Sequence, residues 1–437
     1  MPDTLRLGIA GLGTVGASLM QILQGNGAAL FQATGRAIAV SGISARDRSR
    51  DRGFSTEGMV WFDDPVALAA SETIDVFVEL IGGDEGPARL SVEAALKAGK
   101  SVVTANKALL AKHGLALARL AEKHQAGLNY EAAVAGGIPI IKTLREALVG
   151  NQVTRVFGIM NGTCNYILTR MEEDRISFKE CLADAQRLGY AEADPAFDIG
   201  GHDTAHKLAI LTSLAFGTEI AFDSIYLEGI EAITLADIEA AAQLGYRIKL
   251  LGVAQKTDSG IEQRVHPAMV PQESAIARID GVTNAVAIEA DRVASLLLSG
   301  PGAGGDATAS AVASDIADIA RGIIVPVFGR PVGTLSSYTR ARMRRHAGGY
   351  YIALDLLDRP GAFAGIATRM AKCDISLKSV VQHQQKSART STGSDTQTVI
   401  IITHETTEKA IGEALEAMVK DGNVIGKPKM IRIEKLN

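Results

Sequence analysis

Hydrophobic and polar positions divide the chain into three stretches, and the first alternates short apolar runs with amphipathic ones. The pattern predicts strands at Leu5 to Ala10, Ala37 to Ser44, Val76 to Leu80 and Ser101 to Thr104. It predicts helices from about Val15 and over Pro87 to Lys100. Strand, helix and strand at this spacing are typical of a parallel sheet that is covered by helices on both faces. We therefore predict an α/β domain with a doubly wound parallel sheet over residues 1–138.

The middle stretch, residues 139–330, is more helical and predicts an α+β domain. Helices are predicted at Pro139 to Leu148, Thr163 to Met171, Ser177 to Leu188 and Asp203 to Phe216, and strands at Val153 to Met160 and near Gly252 to Val265. A glycine cluster, Gly300 to Gly305, precedes a further helical pattern from Thr308 to Arg321. We expect this loop and helix, residues 300–322, to return to the first domain.

The last stretch begins with a polar, basic segment, residues 331–348, that we interpret as a linker. From 349 to 437 the predicted elements are a strand, a helix, two strands, a helix and a strand: Tyr350 to Leu357, Ala362 to Lys372, Ile375 to Gln382, Thr396 to Thr403, Glu408 to Lys420 and Lys427 to Ile433. This βαββαβ order is typical of a small ferredoxin-like module, with the polar residues Lys386 to Asp395 at a hairpin tip. Such a module alone has exposed sheet edges, so we expect it to pair side by side with another copy.

Composition places the chain among ordinary globular proteins and narrows its partners. Its 437 residues have room for two or three domains. With 45 Lys and Arg against 49 Asp and Glu, the net charge is −4, which is not the balance of a nucleic-acid or anionic-membrane binder. Three separated cysteines form no CxxC pair, and no apolar run approaches the ~20 residues that span a bilayer. We expect a cytoplasmic protein with neither a membrane nor a nucleic acid as its partner.

The clearest motif is GLGTVG at Gly11 to Gly16, a GxGxxG sequence between a predicted strand and a predicted helix. Gly11 allows a tight turn, Gly13 lets the backbone approach a pyrophosphate, and Gly16 lets the helix pack close to the strand. The N-terminus of the helix then faces the anion. In this setting the motif predicts a Rossmann-type dinucleotide site, and the alternative is an ordinary glycine-rich turn.

The end of the second predicted strand bears on which dinucleotide is bound. An NAD site usually has an acidic residue there, which bonds the ribose 2′-hydroxyl. Here the strand ends in Ser44 and Ala45, and Arg46 follows. Because an arginine suits a 2′-phosphate, we favour NADP(H) over NAD(H). If the strand were one residue longer, Asp47 would instead be the acid that bonds the ribose 2′-hydroxyl. The alternative for Arg46 is a solvated cation in a basic loop.

Two further segments carry residues that suit proton transfer. Lys107 follows the strand Ser101 to Thr104, at the edge where open α/β sheets bind ligands, although a lysine at a helix start is commonly solvated. The segment from Gly189 to Lys207 holds four acids and one lysine: Glu192, Asp194, Asp198, Asp203 and Lys207.

Asp203 and Lys207 of this segment stand at i and i+4, so they share one helix face. A structural ion pair would explain these two residues but would leave Glu192 and Asp198 unexplained. Such acids suit the ammonium group of an amino-acid substrate. The lysine is suited to donating a proton to a carbonyl oxygen as it becomes an alkoxide.

Together these motifs resemble the homoserine dehydrogenase family. GLGTVG at Gly11, VTANKALLA at Val103, NGTCNYILTRM at Asn161, the segment Gly189 to Lys207 and GPGAGGDATASAV at Gly300 occur in the family's order over residues 1–330. The module after Gly349, with its Asp-Arg-Pro-Gly turn, resembles an ACT domain, and the long, regulated members of the family have this architecture. One departure is Ala307, where the family usually has proline.

The resemblance implies roles for the residues at matching positions. Lys207 would be the general acid–base residue and Lys107 would lie near the reacting oxygen and the nicotinamide, and Asp203 would belong with them to the catalytic group. Glu192 and Asp198, with Asp203, would hold the amino-acid substrate. The substrate pocket would be lined by Asn161, Gly162, Thr163 and Lys107, and the cofactor would be held by Gly11, Gly13, Thr14, Val15, Gly16, Arg46, Thr104, Lys107 and Gly305.

Residues Tyr130 to Ile138 resemble the family's loop for a monovalent cation. There Glu131 and the carbonyl groups of Val134, Gly136 and Ile138 would hold sodium, because oxygen ligands suit a hard cation. An ordinary glycine turn before a proline-led helix fits the same residues.

The resemblance implies an enzyme that interconverts L-homoserine and L-aspartate 4-semialdehyde in threonine, methionine and isoleucine biosynthesis, as a homodimer or homotetramer. One alternative is another ACT-bearing hydroxy-acid dehydrogenase, in which His202 or His206 would transfer the proton. Another is a non-catalytic amino-acid sensor. In the module, Asp358 and Gly361 would hold a small amino acid at a helix start, and the resemblance points to threonine. Otherwise Asp358 only caps the helix and the module assists oligomerisation.

Overall fold

The computed structural model describes residues 4–341, 347–383 and 396–435. The first domain contains the strands β1 Leu5–Ala10, β2 Ile38–Ser44, β3 Val60–Trp61, β4 Val76–Glu79, β5 Ser101–Thr104 and β6 Leu128–Asn129, and the helices α1 Thr14–Gly25, α2 Gly27–Thr34, α3 Pro65–Ala70, α4 Pro87–Lys97 and α5 Lys107–Lys123. The strands are all parallel, in the order β3-β2-β1-β4-β5-β6. This is the predicted doubly wound sheet, and its strand order reverses between β1 and β4, where such sheets bind ligands.

Burial on both faces explains why these strands are almost wholly apolar. Val76 and Val78 of β4 pack into the apolar cluster on the side of α1, while Phe77, between them, packs on the side of α4 and α5. All three side chains are fully buried. Residues that alternate along a strand therefore serve two different cores, as in other parallel sheets with helices on both faces.

The middle domain contains the strands β7 Val153–Ile159, β8 Tyr226–Leu227, β9 Tyr246–Thr257, β10 Gly260–Pro271, β11 Thr283–Ala290 and β12 Ala294–Pro301, and the helices α6 Ile140–Lys142, α7 Gly162–Asp174, α8 Phe178–Arg187, α9 Ala196–Ile199, α10 His202–Phe216, α11 Leu235–Gln243 and α12 Gly305–Ala320. Helix α10 packs against β7, β9 and β10 of this domain and against α5 of the first. Because it is enclosed between the two domains, nearly all of its residues are buried.

Strand structure is present near Gly252 to Val265, as predicted, but it is longer and consists of two strands. Two strands of 12 residues each, β9 and β10, form an antiparallel hairpin there, with Thr257 paired to Gly260 across the turn. The polar run Gln255 to Gly260 separates the two strands, and its Asp-Ser-Gly residues are a turn signal that was not recognised. The hairpin of β11 and β12 was also not predicted.

The C-terminal module contains the strands β13 Ala347–Leu357, β14 Leu377–His383, β15 Thr396–Thr403, β16 Thr406–Thr407 and β17 Val424–Ile433, and the helices α13 Ala362–Lys372 and α14 Glu408–Lys420. Apart from the two-residue β16, the order is βαββαβ, as the sequence pattern predicts. The main strands lie in the order β17-β13-β15-β14, which is the ferredoxin-like arrangement. The predicted hairpin tip, Lys386 to Asp395, lies outside the described residues.

One edge of the module is not open, contrary to the expectation from sequence. Strand β17 pairs in parallel with β10 through Ala268 with Arg432 and Met269 with Ile433, so the sheets of the middle domain and the module are continuous. The segment interpreted as a linker also contacts the middle domain, since Ser336 and Arg340 form isolated bridges with Thr218 and Ile261. Residues 342–346 of that segment lie outside the described ranges.

Helix α12 carries the chain back to the first domain, where it packs on α1. Gly305, at the start of α12, lies so close to α1 that a Cβ there would come within 2.6 Å of the Ser18 hydroxyl. None of the helices in the described ranges is both long enough and apolar enough to cross a membrane.

Candidate active site

A tight turn at Gly201 directs the start of helix α10 into the space between the two domains. Gly201 has a φ of 86°, a left-handed conformation that favours glycine. A Cβ there would lie 2.9 Å from Val265 and 3.0 Å from Leu227, so the turn packs directly on strands β10 and β8. Asp203 and Lys207 follow one helical turn apart and are both buried.

The carboxylate of Asp203 bridges two lysines from different domains. One oxygen lies 3.0 Å from the ammonium nitrogen of Lys107, at the start of α5, and the other lies 2.8 Å from that of Lys207. The Lys107 side chain is one-third exposed, whereas that of Lys207 is buried. The structure therefore brings together the three residues for which the sequence predicts a catalytic role.

Asn161 fixes the orientation of this cluster. Its side-chain amide donates to Asp198 at 2.8 Å and to Asp203 at 2.9 Å, while its oxygen accepts from the backbone N–H of Cys164 and so caps α7. Lys207 donates to the carbonyl oxygen of Met160 at 2.6 Å as well as to Asp203. An ammonium group has three N–H donors, so one remains for a bound molecule.

The environment moves the pKa values of the two lysines in opposite directions. Burial lowers the pKa of Lys207 below its ordinary value; the Asp203 carboxylate opposes this shift and the Lys107 ammonium adds to it. The same carboxylate raises the pKa of Lys107 against the effect of burial. Burial alone would raise the pKa of Asp203, but the two ammonium groups outweigh it and keep that pKa well below its usual range.

The other residues predicted to bind the substrate surround this cluster at different depths. Burial raises the pKa of Asp198, which is half-buried beside Asn161. Thr163 donates its hydroxyl to the carbonyl oxygen of Tyr190 at 2.6 Å, and Gly162 lies against the backbone of Val282. Glu192 is exposed on the loop before α9, and the hydrogen bonds within the described residues do not join its side chain to the cluster.

The two histidines beside the lysine belong to an aromatic group. His206 lies between Phe197 and Phe222, with ring centres 5.5 and 4.6 Å apart, and Phe197 stacks on His202 at 6.0 Å. Burial lowers the pKa of His206, and the Lys107 ammonium adds to this effect. A neutral, buried ring packed between two phenylalanines offers poor support for the alternative in which histidine transfers the proton.

The GxGxxG turn has the geometry that a dinucleotide needs. Gly11 has a φ of 98°, and a Cβ there would collide with the carbonyl oxygen of Leu80. A Cβ on Gly16 would collide with the carbonyl oxygen of Gly11, so helix and turn are in direct contact. A Cβ on Gly13 would meet nothing within 4 Å, which leaves the helix start open to an anion. Thr14 and Val15 form the first turn of α1.

A pocket of about 400 Å³ lies beside this turn and is lined by residues that the sequence analysis relates to the choice between NADP and NAD. Strand β2 ends at Ser44, and Arg46, Asp47 and Arg50 line the pocket beyond it. The carboxylate of Asp47 accepts from the backbone N–H and the hydroxyl of Ser49, at 2.8 and 2.7 Å. It is therefore engaged by its own loop.

Sequence reasoning missed Glu79, the last residue of β4. This buried carboxylate accepts the hydroxyl hydrogen of Thr104 at 2.5 Å and two backbone N–H groups of the loop that follows it. An acid at the carboxyl end of the apolar run Val76 to Leu80 was the available signal, since ligands bind at that edge.

The cation loop contains an acid that is unusually well buried. Glu131 is 3% exposed, and its oxygens accept from the backbone N–H groups of Ile141 and Lys142, both at 2.8 Å. Burial raises the pKa of Glu131 to about 7. Gly136, with a φ of 51°, turns the chain against Gly302, and the carbonyl of Ile138 accepts from Ile140 N–H at 2.7 Å.

The turn between β13 and α13 places Asp358 outside the helix start. Its carboxylate accepts from the Gln397 side chain at 3.1 Å, and Gly361, with a φ of 85°, precedes the helix without a side-chain cap. Asp358 therefore does not cap α13, which was one of the alternatives from sequence.

Comparison with known proteins identifies close relatives over the whole chain. Residues 139–317 match the family model described as homoserine dehydrogenase, and residues 11–131 match the one described as its NAD binding domain. The homoserine dehydrogenases of Neisseria gonorrhoeae and Pseudomonas aeruginosa are each 42% identical to this chain, with 99% of both chains covered in each case.

Solved structures agree with these matches. A homoserine dehydrogenase from Thiobacillus denitrificans superposes with a TM-score of 0.93 at 39% identity, covering 100% of this chain and 99% of that one. A hyperthermophilic archaeal homoserine dehydrogenase in complex with NADPH superposes with a TM-score of 0.62 at 27% identity, over 72% of this chain and 97% of that one.

Proposed function

Because the chain belongs to the homoserine dehydrogenase family, we propose that it interconverts L-homoserine and L-aspartate 4-semialdehyde in threonine, methionine and isoleucine biosynthesis. It is an oxidoreductase with an NAD-binding domain. The observation that carries the proposal is Asp203, which is buried between the ammonium groups of Lys107 and Lys207 at 3.0 and 2.8 Å. This cluster lies where the dinucleotide domain meets the middle domain.

Lys207 is the proton-transfer residue in this proposal. Its Nζ has one N–H left for a substrate oxygen after its bonds to Met160 and Asp203. Burial lowers the pKa of Lys207, which brings the neutral amine closer to neutral pH. In the oxidation of homoserine the neutral amine accepts the hydroxyl proton, and in the reverse reaction the ammonium returns it. The nicotinamide, when bound, accepts or supplies the hydride.

Lys107 stabilises charge in this account. Because Asp203 raises the pKa of Lys107, the group stays an ammonium and favours a developing alkoxide oxygen. The two lysines thus have different roles: Lys207, with the lowered pKa, transfers the proton, and Lys107, with the raised pKa, stabilises the developing charge.

The acids beside the cluster bind the amino-acid end of the substrate. Asp198 is aligned by Asn161 and faces the same space, so its carboxylate is suited to the substrate ammonium. Glu192 lies on the exposed loop and would reach the substrate only at the rim of the site. Thr163 and Gly162 form the part of the substrate site that lies at the start of α7.

NADP(H) is the preferred cofactor in this proposal, with NAD(H) second. Ser44 leaves room at the end of β2, Asp47 is held by Ser49, and Arg46 lines the pocket where a 2′-phosphate would lie. The archaeal relative was solved with NADPH. Thr104 and Gly305 complete the cofactor side of the cleft.

An assay of nicotinamide reduction at 340 nm tests the activity. The account expects reduction of NADP with L-homoserine and none with L-lactate, which a general hydroxy-acid dehydrogenase would oxidise. Absence of turnover with homoserine and either nicotinamide cofactor would contradict the proposal and favour a non-catalytic sensor.

Sodium is proposed to bind at the loop of Glu131. A buried carboxylate whose pKa is raised to about 7 would be stabilised by a cation, and the carbonyls of Val134, Gly136 and Ile138 are the further ligands. Replacing sodium with choline at constant ionic strength should lower activity, and an unchanged rate would rule the site out.

We further propose that the βαββαβ module is an ACT domain through which threonine inhibits the enzyme. Asp358 and Gly361 lie at the start of α13, where backbone N–H groups favour a carboxylate. Threonine should inhibit the full chain, and Asp358→Ala should relieve this inhibition. Inhibition that survives this change would place the effector elsewhere.

The enzyme is proposed to be a cytoplasmic homodimer or homotetramer. Strand β12 ends the large sheet and, in the described part of the chain, pairs on one side only, with β11. Open edges of this kind favour association. The described cysteines are free thiols, as a reducing compartment favours. Sedimentation of a monomer at micromolar concentration would contradict the oligomer, and recovery of the enzyme outside the cytoplasmic fraction of its host would contradict the location.

A further inference from the structure

Glu79 joins two loops at the edge of the sheet where the dinucleotide binds. It is fully buried, and its Oε1 accepts from the backbone N–H groups of Ile81 at 2.8 Å and Gly82 at 2.9 Å. Its Oε2 accepts from the hydroxyl of Thr104 at 2.5 Å. The loop after β4 is thereby tied to the end of β5.

All of these hydrogen bonds run toward the Glu79 carboxylate. The Thr104 hydroxyl donates to Glu79, and its oxygen accepts the backbone N–H of Asn106 at 3.0 Å. Both oxygens of Glu79 therefore act as acceptors, which is the role of carboxylate oxygens. Its hydrogen-bond partners within the described residues are neutral groups, so the negative charge is not cancelled by a bonded cation.

Glu79 is among the residues that line a small cavity just before the start of α5. The cavity, of about 190 Å³, is lined by Val15, Glu79, Leu80, Ile81, Gly82, Ala105 and Asn106. It lies between the start of α1 and the residues that precede Lys107. The Arg46 pocket is lined by Gly11, Leu12 and Gly13 of the GxGxxG turn and shares Leu80 and Ile81 with this cavity. A dinucleotide whose pyrophosphate lies at the start of α1 and whose adenosine lies near Arg46 would therefore place its nicotinamide end here.

We propose that Glu79 is a positioning residue for the nicotinamide and that its charge favours binding of the oxidised form. The proposal rests on the proposed function, which puts the dinucleotide in this cleft. The oxidised ring carries a positive charge and the reduced ring is neutral, so a fixed carboxylate in a site of low dielectric stabilises the oxidised form selectively. The hydrogen bonds also hold Asn106 and thus the start of α5, from which Lys107 reaches Asp203.

Two variants separate the charge from the loop contact. Glu79→Gln removes the charge and nearly preserves the size, whereas Thr104→Val removes the loop hydrogen bond and keeps the charge. Dissociation constants for NADP⁺ and NADPH are measured by calorimetry on the full chain. For Glu79→Gln we expect the constant for NADP⁺ to rise roughly tenfold with little change for NADPH. For Thr104→Val we expect both constants to rise by a similar factor.

If Glu79→Gln weakens the binding of NADP⁺ and NADPH equally, or changes neither dissociation constant, the selective role of the charge is overturned. Thermal unfolding shows whether each variant is folded. If Glu79→Gln does not fold, Glu79→Asp is measured instead, because it retains the charge. It should keep the wild-type ratio of the dissociation constants for NADP⁺ and NADPH, and a ratio shifted toward NADPH would overturn the proposal. A wild-type chain that binds neither form would instead contradict the proposed function.

Discussion

Asp203 carries one negative charge between two ammonium groups, and this arrangement couples the titration of Lys107 and Lys207. The carboxylate is fixed by Asn161 as well as by both lysines. The two neighbours shift the pKa of Lys207 in opposite directions: Asp203 raises it and Lys107 lowers it. A change to either neighbour should therefore move the pH dependence of proton transfer in a known direction.

We predict that the rate of homoserine oxidation rises with pH as Lys207 becomes the neutral acceptor. Lys107→Met removes a charge that lowers the pKa of Lys207, so the midpoint of the rate profile should move to higher pH. Asp203→Asn removes a charge that raises this pKa, so the midpoint should move to lower pH. Profiles of kcat against pH for the three proteins test this, and movement of both variants in one direction would contradict it.

Cofactor choice is also decided at the scale of single residues. Arg46→Ala should raise KM for NADP roughly tenfold, by loss of a charged contact with the 2′-phosphate, and should spare NAD. Arg48→Ala is the matched control, because the Arg48 guanidinium lies 5.8 Å from the Trp61 ring and outside the lining of the Arg46 pocket. Kinetics with both cofactors measure the effect, and an equal response to NADP and NAD would assign the preference to other residues.

At the scale of elements, helix α10 decides whether the site forms. Its first residues bring Asp203 and Lys207 to Lys107, and its entry angle depends on Gly201 against Val265 and Leu227. The helix is buried on nearly all sides, so it has little room to change its position. The turn at Gly201 therefore links the packing of β10 to the geometry of catalysis.

Gly201→Ala should destabilise the protein and lower kcat together. The left-handed backbone and the contacts at 2.9 and 3.0 Å both oppose a Cβ, and we expect a loss of about 2–3 kcal/mol in the free energy of unfolding. Gly189→Ala is the control, because Gly189 has a φ of 77° but open space around it, so strain alone should cost about 1 kcal/mol. Urea denaturation compares the two, and equal losses would show that the contact with Val265 is unimportant.

Elements with a regular pattern could be predicted from sequence, whereas long-range contacts could not. Strands β1, β5 and β15 have the bounds that their apolar runs predict, because each run ends at a polar or glycine residue. The turn between β9 and β10 was missed although Asp258, Ser259 and Gly260 form a turn signal, because the apolar residues before and after it were assigned to one segment. Motif matching predicted Lys107 and Asp203 separately, but only the packing of α5 on α10 shows that they form one ion pair.

At the scale of the whole molecule, a buried network of charges joins the C-terminal module to the middle domain. The carboxylate of Glu434, just beyond β17, accepts from Arg264 at 2.7 Å and from Arg155 at 2.5 Å. All three side chains are buried, and Arg264 on β10 is followed by Val265, which packs on Gly201. The module is thus connected through one strand to the helix that carries Lys207.

Glu434→Gln should lower the free energy of unfolding by about 3 kcal/mol, because two buried guanidinium groups lose a shared counter-charge and keep only Glu262 and Glu289 as partners. Glu413→Gln is the control, since its i,i+4 pair with Lys409 is exposed and should contribute under about 1 kcal/mol. Urea denaturation of both variants tests the difference, and similar stabilities would contradict the role of the network. A chain truncated near Gly348 would lose Glu434 as well, so effector tests are better made on the full chain.

The central claim is that Lys207 transfers the proton, and its most direct test is the turnover of Lys207→Met with L-homoserine and NADP. We expect kcat to fall by at least about 100-fold, as is typical when a general acid–base group is lost, with the dissociation constant for NADP nearly unchanged. Lys123→Met, in the last turn of α5, is the control and should turn over like the wild type. Wild-type turnover in Lys207→Met, or a loss explained by weaker cofactor binding, would contradict the account.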